Sequence, residues 1–271
     1  MAAVKLHITD TGGPGRPVVL IHGWPLSAEA WEGQIPALKD AGYRVVAYDR
    51  RGFGQSDKPD SGFDYDSLAE DLHRVITGLD LRDVTLVGFS MGGGEVVRYL
   101  ARYGADLVQS AVLAAAIPPM MLKTEDNPEG PLTQAKAAEM KAGLIRDRES
   151  FFDGFTRDFY SAHGALKVSE DERQKAIALC HQSDQTAALG CMEAFGTTDF
   201  RRDLQKITLP VLVLHGDADG IVPLEGSGAR SHAMLEGSLL HVLPGAPHGC
   251  NVSHRDAFNA ALLDFLGQKP R

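Results

Sequence analysis

"VTLVGFSMGGGEVVRYLARY", residues 84–103, decides the fold. Residues 84–87 form a short run of strand formers, Gly88-Phe89-Ser90-Met91-Gly92 reads as a tight turn, and 94–103 follows a helical period. Gly-x-Ser-x-Gly between a strand and a helix matches a sharp turn that holds a serine in strained geometry above a sheet. Glycine is required there because strand and helix approach too closely for a Cβ. A serine so placed sits at a helix N-terminus, where free N–H groups and the helix dipole favour a developing anion. A bare match is weak evidence, because a Gly-rich turn whose serine merely caps the helix also fits. Its partners elsewhere in the chain must decide.

Working outward, apolar runs bounded by turn residues recur at 18–21, 44–48, 110–113, 210–214 and 239–242. Each reads as a strand covered on both faces. Helical patterns lie between and after them at 31–41, 67–79, 94–103 and 256–266. Strand alternating with helix predicts an α/β fold with a mostly parallel, doubly wound sheet and helices on both faces. A strand over 5–9 followed by the turn-rich "TGGPGRP" (11–17) suggests an antiparallel start. The alternation lapses from about Pro118 to Ile207, where a turn-rich loop (124–131) precedes mostly helical patterns and no convincing strand. Phe151, Phe155 and Phe159 recur there at four-residue spacing and share a helix face. The predicted organisation is a core domain over 1–117 and 207–271, interrupted by a helical cap insertion over 118–206.

The 271 residues suffice for one α/β domain with a sizeable core. A formal net charge of −9 argues against nucleic acid and anionic membranes as partners, since both call for a basic patch. Cys180, Cys191 and Cys250 are an odd number without CxxC spacing, so neither a disulfide framework nor a zinc site is expected. The start lacks the apolar stretch of a signal peptide. The longest apolar run, 111–122, is broken by Pro118-Pro119 and is too short to span a bilayer. These features predict a cytoplasmic protein.

A serine hydroxyl needs a base, and the base needs an orienting carboxylate. On this type of turn the order is Ser, then Asp or Glu, then His. Two late strand ends supply candidates. "PVLVLHGDADGIVP" (210–223) carries Asp217 and Asp219, and "LLHVLPGAPHG" (239–249) carries His248 in a turn-rich loop. Both lie where open α/β sheets bind ligands, beyond the carboxyl ends of strands. His241 falls inside a strand, His215 precedes the aspartates as structural support, and His254 belongs to the first turn of the last helix. His7, His73, His163, His181 and His232 have no strand-end context. Asp219 stands in the Asp-Gly-Ile-Val-Pro loop that must reach the histidine, whereas Asp217 suits a turn stabiliser. The predicted triad is Ser90, Asp219 and His248.

With these residues identified, the chain resembles the α/β-hydrolases of the bacterial aryl-esterase and cofactor-free haloperoxidase (perhydrolase) group. The resemblance rests on HGWP (22–25), YDRRGFGQSD (48–57), LVGFSMGGGEV (86–96), AFGTTDF (194–200), HGDADGIVP (215–223) and APHG (246–249), and so covers nearly the whole chain. It implies the same triad, with an oxyanion hole made by the backbone N–H groups of Trp24 and Met91. It also implies a substrate pocket lined by Trp24, Pro25, Ile117, Phe155, Phe159, Phe195 and Ile221. Asp49 and Arg51-Gly52-x-Gly54 are expected to form a supporting turn without chemistry.

The resemblance implies acyl transfer on small apolar or aryl esters. Water as second nucleophile gives hydrolysis; hydrogen peroxide gives a peracid that oxidises halide away from the protein. No haem, vanadium or other metal cofactor is expected. Relatives of this kind are often homo-oligomers, and the resemblance carries that expectation. An amidase or γ-lactamase and a carbon–carbon bond hydrolase share the triad, and a non-catalytic small-molecule binding module could share the scaffold. Pro25 restricts the backbone of Trp24 and so pre-positions its N–H and carbonyl. The HGWP form resembles the perhydrolase-leaning members.

Overall fold

The computed structural model describes residues 4–268. Among these residues nine strands form: β1 (Ile8–Asp10), β2 (Pro17–Ile21), β3 (Arg44–Tyr48), β4 (Val84–Phe89), β5 (Val108–Ala114), β6 (Ser161–Ala162), β7 (Ala165–Leu166), β8 (Val211–Gly216) and β9 (Leu239–Leu243). The helices are α1 (Ile35–Asp40), α2 (Tyr65–Gly78), α3 (Met91–Tyr103), α4 (Gln134–Arg146), α5 (Arg148–Phe159), α6 (Glu170–His181), α7 (Gln185–Thr197), α8 (Arg201–Leu204), α9 (Gly228–Met234), α10 (Cys250–Ser253) and α11 (Arg255–Gly267).

Seven strands make one sheet in the order β1-β3-β2-β4-β5-β8-β9. Only β1 is antiparallel to its neighbour. Every residue of β4 and of β8 is buried. Successive side chains of a strand point to opposite faces, so both faces of the sheet centre are covered. That accounts for the uninterrupted apolar runs that mark these strands in the sequence.

Several boundaries differ from the sequence expectation. Residues 31–41 do not form one helix. A 3-10 turn over Ala28–Trp31 is followed by α1, which starts where Pro36 occupies the first turn and its missing N–H costs nothing. The helix expected over 94–103 begins earlier, at Met91, directly after Ser90. The opening strand is Ile8–Asp10 rather than 5–9, and β5 extends beyond 110–113 in both directions.

Between β5 and β8 the chain contributes no strand to the main sheet; it forms α4 to α8. It does contain a two-stranded hairpin, β6–β7, where no strand was expected. The turn residues His163 and Gly164 both have positive φ (52° and 75°), the backbone of a two-residue hairpin turn. Strands of two residues are too short to leave an alternating pattern in the sequence. The Trp24-Pro25 and Pro118-Pro119 peptide bonds are cis. Among the described residues, no helix is long and apolar enough to cross a membrane.

Candidate active site

The site lies at the carboxyl ends of β2, β4, β8 and β9. Ser90 follows β4 with φ 55° and ψ −119°, a backbone a non-glycine residue seldom adopts. The surroundings hold it there. Its N–H donates to the Ala114 carbonyl at 2.8 Å, and its own carbonyl accepts from Gly93 N–H at 3.0 Å. The flanking glycines are steric necessities. A Cβ on Gly88 would stand 2.4 Å from the Gly92 carbonyl oxygen, and one on Gly92 would stand 2.4 Å from that of Ile21.

Ser90 Oγ lies 2.9 Å from His248 Nε2, and His248 Nδ1 lies 2.7 Å from Asp219 Oδ2. A carboxylate only accepts, so Nδ1 carries the ring proton and Nε2 is left to accept from the serine hydroxyl. The other Asp219 oxygen accepts from Ile221 N–H at 2.9 Å and Val222 N–H at 2.7 Å. Burial alone would raise the Asp219 carboxyl, but His248 and His215 outweigh it and hold the group well below the usual carboxylate range. Phe89 and Phe159 pack on the His248 ring, with centroids 5.2 Å and 4.9 Å away. All three side chains are nearly buried. The arrangement is one that makes a hydroxyl nucleophilic and gives its proton a place to go.

The other candidates fall elsewhere. Asp217 accepts from Gly245 N–H at 2.6 Å and ties the two loops together. His215 is wholly buried; its Nε2 donates to the Val222 carbonyl at 2.8 Å and lies 3.3 Å from Asp219 Oδ2. His241 sits exposed on β9, and His254 is the residue that precedes α11 rather than part of its first turn. Asp49 organises its turn by accepting from Ala28 N–H and Gln55 N–H, and Arg51 pairs with Asp71 at 2.6 Å.

The Met91 N–H opens α3, and that of Trp24 lies in the loop after β2. Among the described residues neither donates to another group. The Trp24 indole is fixed by a 2.9 Å hydrogen bond from Nε1 to the Ala188 carbonyl on α7, and by edge contacts with Phe151, Phe152, Phe155 and Phe195.

A pocket of about 720 Å³ opens over Ser90 and His248. Trp24, Ile117, Phe155, Phe195 and Ile221 line it, together with Phe151, Met121, Leu132 and Met140. Lys136 and Asp158 add charge from exposed helix positions. Two of the expected residues do not line it. Phe159 is turned onto the His248 ring, and its carbonyl accepts from Gly249 N–H at 2.9 Å, so it braces the histidine loop instead. Pro25 is buried and does not line the pocket.

Sequence reasoning missed a buried polar cluster beneath the loop after β2. Arg50 Nε pairs with Glu95 Oε2 at 2.9 Å, both essentially without solvent exposure. The same guanidinium donates to the His22 carbonyl at 2.8 Å, the Arg50 N–H donates to His22 Nε2 at 2.9 Å, and Tyr48 hydrogen-bonds Glu95. Burial, reinforced by Arg50, holds the His22 ring well below its usual range and hence neutral. Glu95 lies on α3, so the pair ties the Trp24 loop to the helix that Met91 opens. A glutamate inside an otherwise apolar helix stretch, "GGGEVV", is the signal that could have revealed it.

Comparison with known proteins agrees with this fold. Residues 16–254 match the family model described as alpha/beta hydrolase fold. The chain is 42% identical over 259 residues to a non-heme chloroperoxidase of Kitasatospora aureofaciens, covering 94% of each. It is 39% identical over 266 residues to a bifunctional esterase/perhydrolase of Acinetobacter calcoaceticus, covering 97% of this chain and 96% of that one. Among solved structures, a bromoperoxidase from Bacillus anthracis superposes with a TM-score of 0.96 at 47% identity, over 98% of this chain and 96% of the other.

Proposed function

The chain belongs to the alpha/beta hydrolase fold family, and we propose that it is a serine hydrolase that transfers acyl groups from small apolar or aryl esters to water or hydrogen peroxide. The observation that carries the reading is the continuous line of hydrogen bonds from Ser90 through His248 to Asp219, at 2.9 Å and 2.7 Å. His248 takes the serine proton as Oγ attacks the ester carbonyl. The charge that develops on the carbonyl oxygen is met by the N–H groups of Trp24 and Met91, which donate to no other group among the described residues. His248 returns the proton to the leaving alcohol, and Asp219 holds the imidazolium formed in between.

The acyl group on Ser90 is then released by a second nucleophile that His248 deprotonates. Water gives the acid, and hydrogen peroxide gives a peracid. The attacking peroxide keeps one O–H, which the Trp24 carbonyl accepts; Pro25 sets the direction of that carbonyl. We read 118–206 as a cap, since α4, α5 and α7 contribute Met140, Phe155 and Phe195 to the pocket. A wall with so many aromatic and aliphatic side chains favours uncharged substrates.

The test is a ratio measured on one preparation: peracid formed from acetate and peroxide against hydrolysis of p-nitrophenyl acetate. Both activities are expected. Pro25→Leu is expected to lower the ratio, and an unchanged or higher ratio refutes that use of the proline. The choice of acid is tested separately. Asp219→Asn is expected to lower kcat by about 10⁴ because it reverses the tautomer preference of His248. Asp217→Asn leaves the His248 hydrogen bond in place and is expected to keep most activity. The reverse pattern would exchange their roles.

A further inference from the structure

The pocket that contains Ser90 also contains two thioethers. Of the six methionines among the described residues, Met121 and Met140 line it, while Met91, Met120, Met192 and Met234 do not. Met121 follows β5 and is buried except toward the pocket; Met140 is half-buried on α4. Their other neighbours on the wall, such as Ile117, Leu132 and Phe155, carry no oxidisable group of comparable reactivity.

We propose that Met121 and Met140 are sites at which the protein oxidises itself during peracid formation, and that their sulfoxides slow its turnover. This inference rests on the perhydrolase reading above. A peracid is released from Ser90 directly into the space these side chains line. One molecule confined to about 720 Å³ corresponds to a local concentration of roughly 2 M.

The step is a two-electron oxygen transfer. A sulfur lone pair attacks the terminal peroxy oxygen; the S–O bond forms as the O–O bond breaks. The carboxylate leaves and ends protonated by the former peroxy hydrogen, so peracid plus thioether becomes carboxylic acid plus sulfoxide. Sulfur is oxidised and the peroxy group is reduced. Hydrogen peroxide can perform the same transfer but must expel hydroxide. The conjugate acid of a carboxylate has a pKa of about 4, that of hydroxide about 15.7, so the peracid is much the stronger oxidant.

The consequence for the pocket follows from the chemistry of the product. A sulfoxide converts a flexible apolar side chain into a polar one. Placed among aromatic and aliphatic groups, it must bring water or remain unpaired, and either outcome weakens the binding of apolar esters. Methionine sulfoxide is reversible by dedicated reductases, so the lesion is one that a cell can repair.

The experiment incubates wild-type protein with acetate and hydrogen peroxide, following peracid in the bulk, residual esterase activity, and sulfoxide at each methionine by peptide mass spectrometry. One control receives peroxide alone. A second is Ser90→Ala supplied with peracetic acid at the bulk concentration reached by the wild type. At least tenfold more sulfoxide at Met121 and Met140 than in either control is expected, ahead of Met120, Met192 and Met234. The Met121→Leu/Met140→Leu double variant keeps pocket volume nearly unchanged. Measured against its own starting activity, it is expected to complete at least threefold more turnovers before losing half of that activity. Bulk peracid accumulating while both thioethers stay intact overturns the proposal and spares the perhydrolase reading. Equal oxidation in the Ser90→Ala control overturns delivery within the pocket. A preparation that forms no peracid overturns both.

Discussion

Replacing Ser90 by alanine is expected to abolish ester cleavage and peracid formation together, lowering kcat by about 10⁵ to 10⁶. The size of the effect follows from the geometry. Ser90 Oγ is the atom hydrogen-bonded to His248 Nε2, and in the proposed mechanism the acyl group of both reactions is bound through it. With Oγ gone, His248 and Asp219 retain their pairing but have no hydroxyl to activate. In the proposed mechanism the N–H groups of Trp24 and Met91 remain to polarise a bound carbonyl, so a residual rate of roughly 10³ over water is expected. The measurement is p-nitrophenyl acetate turnover by wild type and variant, with peracid formation assayed in parallel. No turnover by the wild type would sink the enzyme reading, and equal turnover by both would remove Ser90 from it. Peracid formation that survives while hydrolysis is lost would mean the two reactions do not share an acyl intermediate.

The second large effect is on stability. Glu95→Ala should destabilise the protein by about 3 to 5 kcal/mol, because it leaves the Arg50 guanidinium buried without its carboxylate. For a chain of this length that is a fall in Tm on the order of 10 °C. Burial pushes the Glu95 carboxyl up, against Arg50 and Tyr48, so the charged pair is held by mutual attraction rather than by solvation. Replacing both partners with apolar residues, Arg50→Met with Glu95→Leu, removes the desolvation penalty and should recover most of the lost Tm. Activity is expected not to follow. Without Arg50 the His22 carbonyl loses its 2.8 Å tether, and the loop that presents the Trp24 N–H is no longer tied to α3. A kcat at least tenfold below wild type in the thermally restored double variant is the expected sign; wild-type kcat there would mean that the pair serves stability alone. Thermal denaturation and steady-state kinetics on the same three proteins decide it.

The comparison of Glu95 with Ser90 shows why one was legible and the other not. Ser90 announces itself through its flanking glycines: Gly88 is required by its approach to Gly92 across the turn, and Gly92 by its approach to the end of β2. Glu95 stands five residues further along, its partners Arg50 and Tyr48 come from the segment around β3, and Arg50 in turn reaches His22 after β2. Phe159 illustrates the same limit. Its spacing places it on a helix face with Phe151 and Phe155, but spacing does not say which of the three looks into the pocket and which turns onto His248.

In the sequence alone, then, were the alternation of strand and helix, the strained serine turn, and the candidates Ser90, Asp219 and His248 in that order. Those are properties of short segments: side-chain period, the steric freedom of glycine, and the restriction imposed by proline act over a few residues. Only the tertiary structure decided that Ser90 and His248, 158 residues apart, meet at 2.9 Å. It alone decided that the Trp24 indole is pinned to Ala188 across 164 residues, and that Arg50 finds Glu95 in a dry interior. A buried polar group must find a partner wherever the folded chain offers one, and that place is set by packing rather than by proximity in sequence.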